Sequence, residues 1–95
     1  MVFFLKCCGF RNTFLKKMKF DLIVSNLLLN SQKKLIKDFF FYLDRNGILV
    51  ISGILKNQVN EILWCFSKFN LKLKKRIYIS SWGALIFEKK GFDSE

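Results

Sequence analysis

Hydrophobic positions follow two kinds of spacing along this chain. Two short apolar runs each stop on a polar elbow, Phe20-Asp21-Leu22-Ile23-Val24-Ser25-Asn26 and Gly47-Ile48-Leu49-Val50-Ile51-Ser52-Gly53. Continuous branched runs of this kind suit central strands of a parallel sheet, covered on both faces. Between them Leu35, Ile36, Phe39, Phe40 and Leu43 recur at helical spacing, with Lys33, Lys34 and Lys37 off the stripe. Asn30-Ser31 gives the N-cap signal for that helix. Asp44-Arg45-Asn46-Gly47 reads as a turn, with Gly47 free to take positive φ. After the second run, which Ser52 and Gly53 end, Asn57 is placed to cap another helix and Glu61 suits its first turn. Val59, Ile62, Leu63 and Phe66 form its apolar face, and Asn70 marks its end.

From Leu71 the period becomes two. Leu71, Leu73, Ile77 and Ile79 are expected on one face and Lys72, Lys74, Arg76 and Tyr78 on the other, with the pattern broken only at Lys75. Ser80-Ser81 reads as a turn, and Trp82 to Phe87 as a last strand pairing antiparallel with the previous one. The leader, 1–18, is less legible. Val2 to Leu5 suits a strand, Asn12 to Lys17 a short basic turn or helix, and its Phe content an apolar surface awaiting a partner. Residues 19–90 form the α/β unit and 91–95 a polar tail. The order is strand, helix, strand, helix, strand, strand. Ligands of open α/β sheets bind at the carboxyl ends of the parallel strands, which singles out Ser25, Asn26, Ser52 and Gly53.

Composition narrows the chemistry. Ninety-five residues make one domain with a small core. The absence of His excludes a His-based triad and a His-ligated haem, and Cys7, Cys8 and Cys65 lack metal-ligand spacing. No apolar run reaches the length of a membrane span, and the cysteine usage fits a reduced, cytoplasmic chain. The net charge of +10 draws polyanions such as RNA weakly. AT-rich coding, which raises Lys, Asn, Phe and Ile together, accounts for that charge without a binding site. The basic cluster Lys72, Lys74, Lys75 and Arg76 reads either as an RNA contact or as a solvated strand face.

The stretch Phe20 to Leu28 is similar to the strand and elbow of the PrmA-type methyltransferases. Gly47 to Leu55, with its S-G-I-L ending, is similar to a later segment of that family. Gln58 and Trp82-Gly83-Ala84-Leu85 fit the same alignment. Over residues 19–90 the chain therefore resembles the carboxyl-terminal half of these class I enzymes, which methylate amino groups of ribosomal protein L11 with S-adenosylmethionine. The resemblance implies a partial Rossmann-like sheet: the last four strands, two parallel plus an antiparallel closing pair, with two helices. It implies Asn26 and Leu27 at the cofactor and Asn26, Ser52, Gly53 and Trp82 at the substrate. It assigns no acid/base residue and no metal ligand. Each of these positions also has a plain structural use. Asn26 could close a turn, Leu27 and Leu28 could be core, Ser52 and Gly53 a tight turn, and Trp82 a buried ring.

The family's glycine-rich cofactor loop has no counterpart, because Gly9, Gly47, Gly53, Gly83 and Gly91 are each isolated. The expectation is thus a fragment of the enzyme, lacking its amino-terminal half and inactive alone. Two other readings stand beside it. One is a non-enzymatic basic α/β module that binds RNA or a partner chain. The other is a remnant without function, aggregating through its open sheet edge.

Overall fold

The β-branched and aliphatic run Phe20–Asn26 forms strand β2, and Leu43–Leu55 forms β3. In the computed structural model, which describes residues 2–5 and 19–90, the two pair in parallel, with Ile23 opposite Leu49, Ser25 opposite Ile51 and Asn26 opposite Ser52. Helix α1, Leu29–Tyr42, makes the crossover between them. A short 3-10 turn, Lys56–Gln58, leads into helix α2, Val59–Phe66. The chain closes with β4, Leu71–Ile79, and β5, Trp82–Lys89, which pair antiparallel. β5 also lies antiparallel to β3. The expected α/β fold is present, with a parallel pair, an antiparallel closing pair and two helices.

A strand does form at Val2–Leu5, and this β1 pairs antiparallel with the outer edge of β2. The sheet order is β1-β2-β3-β5-β4. A paired edge is protected from adventitious strand addition. The expectations for Asn12 to Lys17 and for the tail at 91–95 lie outside the described residues.

Register separates the two faces of the sheet. Ile23, Leu49, Ile51, Leu85 and Phe87 are buried against Ile36 and Phe39 of α1 and Val59, Ile62 and Phe66 of α2. Residues of the opposite parity, including Leu22, Val24, Ile48, Val50 and Ile86, are only partly buried. The described helices thus share one face, and Phe66 packs its ring 5.2 Å from that of Phe87 across the layers.

Several local expectations are corrected. Helix α1 begins at Leu29, before Asn30-Ser31, and Leu28 stands at its N-cap without a side-chain cap. Asn57 does not cap α2: it sits inside the 3-10 turn, Gln58 holds the N-cap position, and the Gln58 amide oxygen accepts from the Leu55 N–H. Glu61 does lie in the first turn of α2, but the helix stops at Phe66, short of Asn70. Asp44 to Gly47 lies within β3 as an excursion in the pairing, between Leu43 opposite Phe20 and Ile48 opposite Leu22. The positive φ there belongs to Asn46, at 66°.

β3 does not end at Ser52-Gly53. It runs to Leu55, with a register shift against β5 between Ile51 and Ile54. The break in β4 falls between Leu73 and Lys75 and leaves Lys74 as the extra residue. A single inserted residue moves every later side chain to the other face. Leu73 lies opposite Phe87, and Arg76 and Tyr78 lie opposite Leu85 and Gly83 on that same face. Ile77 and Ile79, opposite Ala84 and Trp82, therefore do not share a face with Leu71 and Leu73.

Candidate functional site at the carboxyl rim

Parallel strands deliver their carboxyl ends to one rim, so the elbows after β2 and inside β3 come together. Asn26 and Ser52 are register partners, and the Ser52 hydroxyl donates to Asn26 Oδ1 at 3.2 Å. Gly53 follows at φ 85°. A Cβ at Gly53 would stand 2.6 Å from Asn26 Oδ1 and 2.9 Å from the Leu27 carbonyl oxygen. Only glycine allows this approach without displacing the elbow. The close neighbours of Gly53 are therefore the Asn26 side chain and the Leu27 backbone. Ser52 and Gly53 stand across from Ala84 as a β-bulge, which re-aims the strand at its rim.

These residues border a cleft of about 670 Å³. Asn26, Leu27, Ser52, Gly53 and Trp82 all line it, whereas Ser25, also singled out by the sequence, is buried on the helix-covered face and bonded to Gln32. Leu28, Ser31, Ile79, Gly83 and Ala84 complete the wall. Leu28 and Ile79 are 72% and 71% exposed, and Trp82 is half exposed, which rules out the buried-ring reading for this Trp. Asn26, Ser52, Ala84, Ile79 and Trp82 have the parity of the face that no described helix covers, so the cleft opens where that face meets the rim.

Among the described residues no charged side chain lines the cleft, although the chain carries +10 overall. The described cations sit elsewhere. Lys72, Lys74, Lys75 and Arg76 are exposed on edge strand β4, where Lys74 pairs with Glu88 at 3.3 Å. Among the described residues there is no metal-ligand cluster, and Cys65 is a free thiol.

Sequence reasoning passed over Gln32. It is wholly buried, and its Nε2 donates to the carbonyls of Ser52 at 2.8 Å, Leu27 at 3.0 Å and Ser25 at 3.2 Å. Its Oε1 accepts from the Ser25 hydroxyl at 2.7 Å. The available signal was a polar residue in the apolar stripe of α1, one turn before Ile36 and two before Phe39.

The sequence profile of the ribosomal protein L11 methyltransferase (PrmA) family matches residues 6–90. The chain belongs to that family. A ribosomal protein L11 methyltransferase of Fusobacterium nucleatum is 28% identical over 76 residues, covering 80% of this chain and 24% of the relative. One of Thermosipho melanesiensis is 33% identical over 70 residues, covering 74% of this chain and 25% of the relative. The chain thus spans about a quarter of the length of these curated relatives. The crystal structure of ribosomal protein L11 methylase from Lactobacillus delbrueckii superposes with a TM-score of 0.73 at 27% identity, over 79% of this chain and 39% of that one. A methyltransferase from Pyrococcus furiosus, at 21% identity and a TM-score of 0.64, shares the fold.

Proposed function

We propose that this chain supplies the acceptor-amine side of an S-adenosylmethionine-dependent protein methyltransferase acting on ribosomal protein L11. The observation that carries this reading is the Asn26–Ser52 pair at the mouth of a cleft whose described lining is uncharged and largely apolar. Such a wall suits a sulfonium cofactor and an amine better than a phosphate, which asks for cationic donors. This favours methyl transfer at the cleft over RNA binding there.

The cofactor, when bound, supplies an electrophilic methyl carbon. Asn26 and Leu27 would hold it from the elbow, and Asn26, Ser52, Gly53 and Trp82 would border the incoming amine. Apolar walls disfavour an ammonium relative to the neutral amine, which forms by loss of a proton to solvent and whose lone pair is the nucleophile. Trp82 offers a ring face that a cationic amine can approach from solvent. Ser52 fixes the Asn26 carboxamide through its hydroxyl, so these residues act by orientation, with no side chain cast as general base.

With no G-x-G cluster in its sequence, this chain should bind S-adenosylmethionine weakly by itself. Calorimetry is expected to show no micromolar binding. An NMR titration into the millimolar range is expected to shift Asn26, Leu27, Ser52, Gly53 and the Trp82 indole. Shifts confined to the opposite rim would refute the assignment, and micromolar affinity would overturn the need for a glycine-rich loop. Tritiated methyl transfer to ribosomal protein L11 by the chain alone is expected at background level.

A further inference from the structure

We infer that Gln32 is a positioning residue of the candidate site: its buried carboxamide locks the two elbows together and so fixes the aim of Asn26. The three carbonyls it holds come from the end of β2, the elbow after it and the bulge of β3. Two amide protons serve three acceptors, the two shorter bonds going to Ser52 and Leu27. The Ser25 hydroxyl, itself buried, donates to Oε1 and so selects which way the amide faces. Helix α1 has no side-chain N-cap and no acid in its first turn, so the Gln32 amide supplies the side-chain tether between that turn and the strand ends.

The effect reaches Asn26 through one intermediate. Gln32 holds the backbone of Ser52, and the Ser52 hydroxyl holds Asn26 Oδ1. A leucine at 32 would fill similar space in the apolar stripe. It would leave those three carbonyls without this donor and the Ser25 hydroxyl without its acceptor. Packing at this position needs no amide, whereas the placement of two elbows does.

This inference rests on the proposed function only for what Asn26 is aimed at, and its test uses the chain without cofactor. Side-chain and backbone order parameters of the 15N-labelled full chain are compared for wild type, Gln32→Leu, Ser25→Ala and Ile62→Val. Ile62 is buried on α2 and serves as a core variant that leaves the tether intact. In Gln32→Leu, the order parameters of the Asn26 carboxamide and the Leu27 and Gly53 amides should drop from about 0.85 to below about 0.6. Ser25→Ala should lower the same residues by a smaller amount, and Ile62→Val should leave them in place. Unchanged order at Asn26 in a folded Gln32→Leu chain overturns the inference. Should that variant fail to fold, an unchanged Asn26 in Ser25→Ala does the same. An equal drop in Ile62→Val would show general loosening and also overturn it.

Discussion

Both rims of this sheet tie down loose carbonyls with side chains, but with opposite chemistry. At the carboxyl rim the neutral Gln32 amide, wholly buried, takes the carbonyls of Ser25, Leu27 and Ser52. At the other rim ammonium groups do the work. Lys89 Nζ donates to the carbonyls of Phe40 and Leu43 at 2.8 and 2.9 Å, and Lys19 Nζ donates to that of Phe41 at 2.7 Å. Those carbonyls close the C-terminal turn of α1, the negative end of its dipole, where cations are favoured. Both lysines also lie over aromatic rings, Lys89 at 4.3 Å from Phe40 and Lys19 at 4.5 Å from Phe41. A neutral tether adds no fixed charge to the described lining of the cleft at its rim. A charged tether makes its rim respond to pH.

The comparison breaks most severely at Gly53. Gly53→Ala drives a Cβ against the Leu27 carbonyl oxygen and Asn26 at a φ of 85°. We expect a loss of about 3 kcal/mol, read as a lower urea midpoint. Gln32→Leu comes next, at about 2 kcal/mol, because buried carbonyls lose a donor while apolar volume is kept. That loss should be flat between neutral and alkaline pH, since no ionisable group is removed.

Lys89→Met should behave differently. Burial, with the neighbouring Lys19 charge adding to it and Asp44 opposing, holds the Lys89 ammonium below the ordinary lysine value of 10.5. A lysine with a lowered folded pKa binds fewer protons folded than unfolded in the interval between the two values. Its contribution to stability therefore increases as pH climbs through that alkaline interval, and is lost as pH falls through the folded value. Subtracting the Lys89→Met stability curve from the wild-type curve should show this rise. A flat difference would place Lys89 among ordinary surface lysines.

The smallest effect should come from the Lys33–Glu61 pair, which bridges α1 and α2 at the surface. The hydrogen bond to Glu61 holds the Lys33 ammonium above its usual range, with burial opposing. Its support is present below the ordinary lysine value and is lost as pH rises through the folded one. Exposed pairs contribute little, so Glu61→Gln should leave the urea midpoint within error, and added salt should erase any residue of the effect.

Much of this architecture could be read directly. The runs at Leu22–Val24 and Ile48–Ile51 are apolar without interruption, and such runs form inner strands whatever their neighbours. The elbow residues Asn26 and Ser52 were legible for the same reason, since parallel strands carry their ends to a common rim. Helix limits were less legible. Leu28 and Gln58 occupy N-cap positions without the side-chain caps that a sequence signal presumes, because contacts made elsewhere hold those turns.

What the order of residues determined alone was the alternation of strands and helices and the common rim at which Asn26 and Ser52 emerge. Tertiary structure decided the rest. Pairing of β4 with β5 turned Lys74 into a bulge and sent Ile77 and Ile79 to the opposite face from Leu71 and Leu73. Pairing of β1 with β2 gave an otherwise open edge its partner. Packing of α1 across both strand ends made Gln32, a misfit in an apolar stripe, the donor those carbonyls required. Periodicity reports what a segment prefers by itself, while register and buried polar satisfaction exist only between segments.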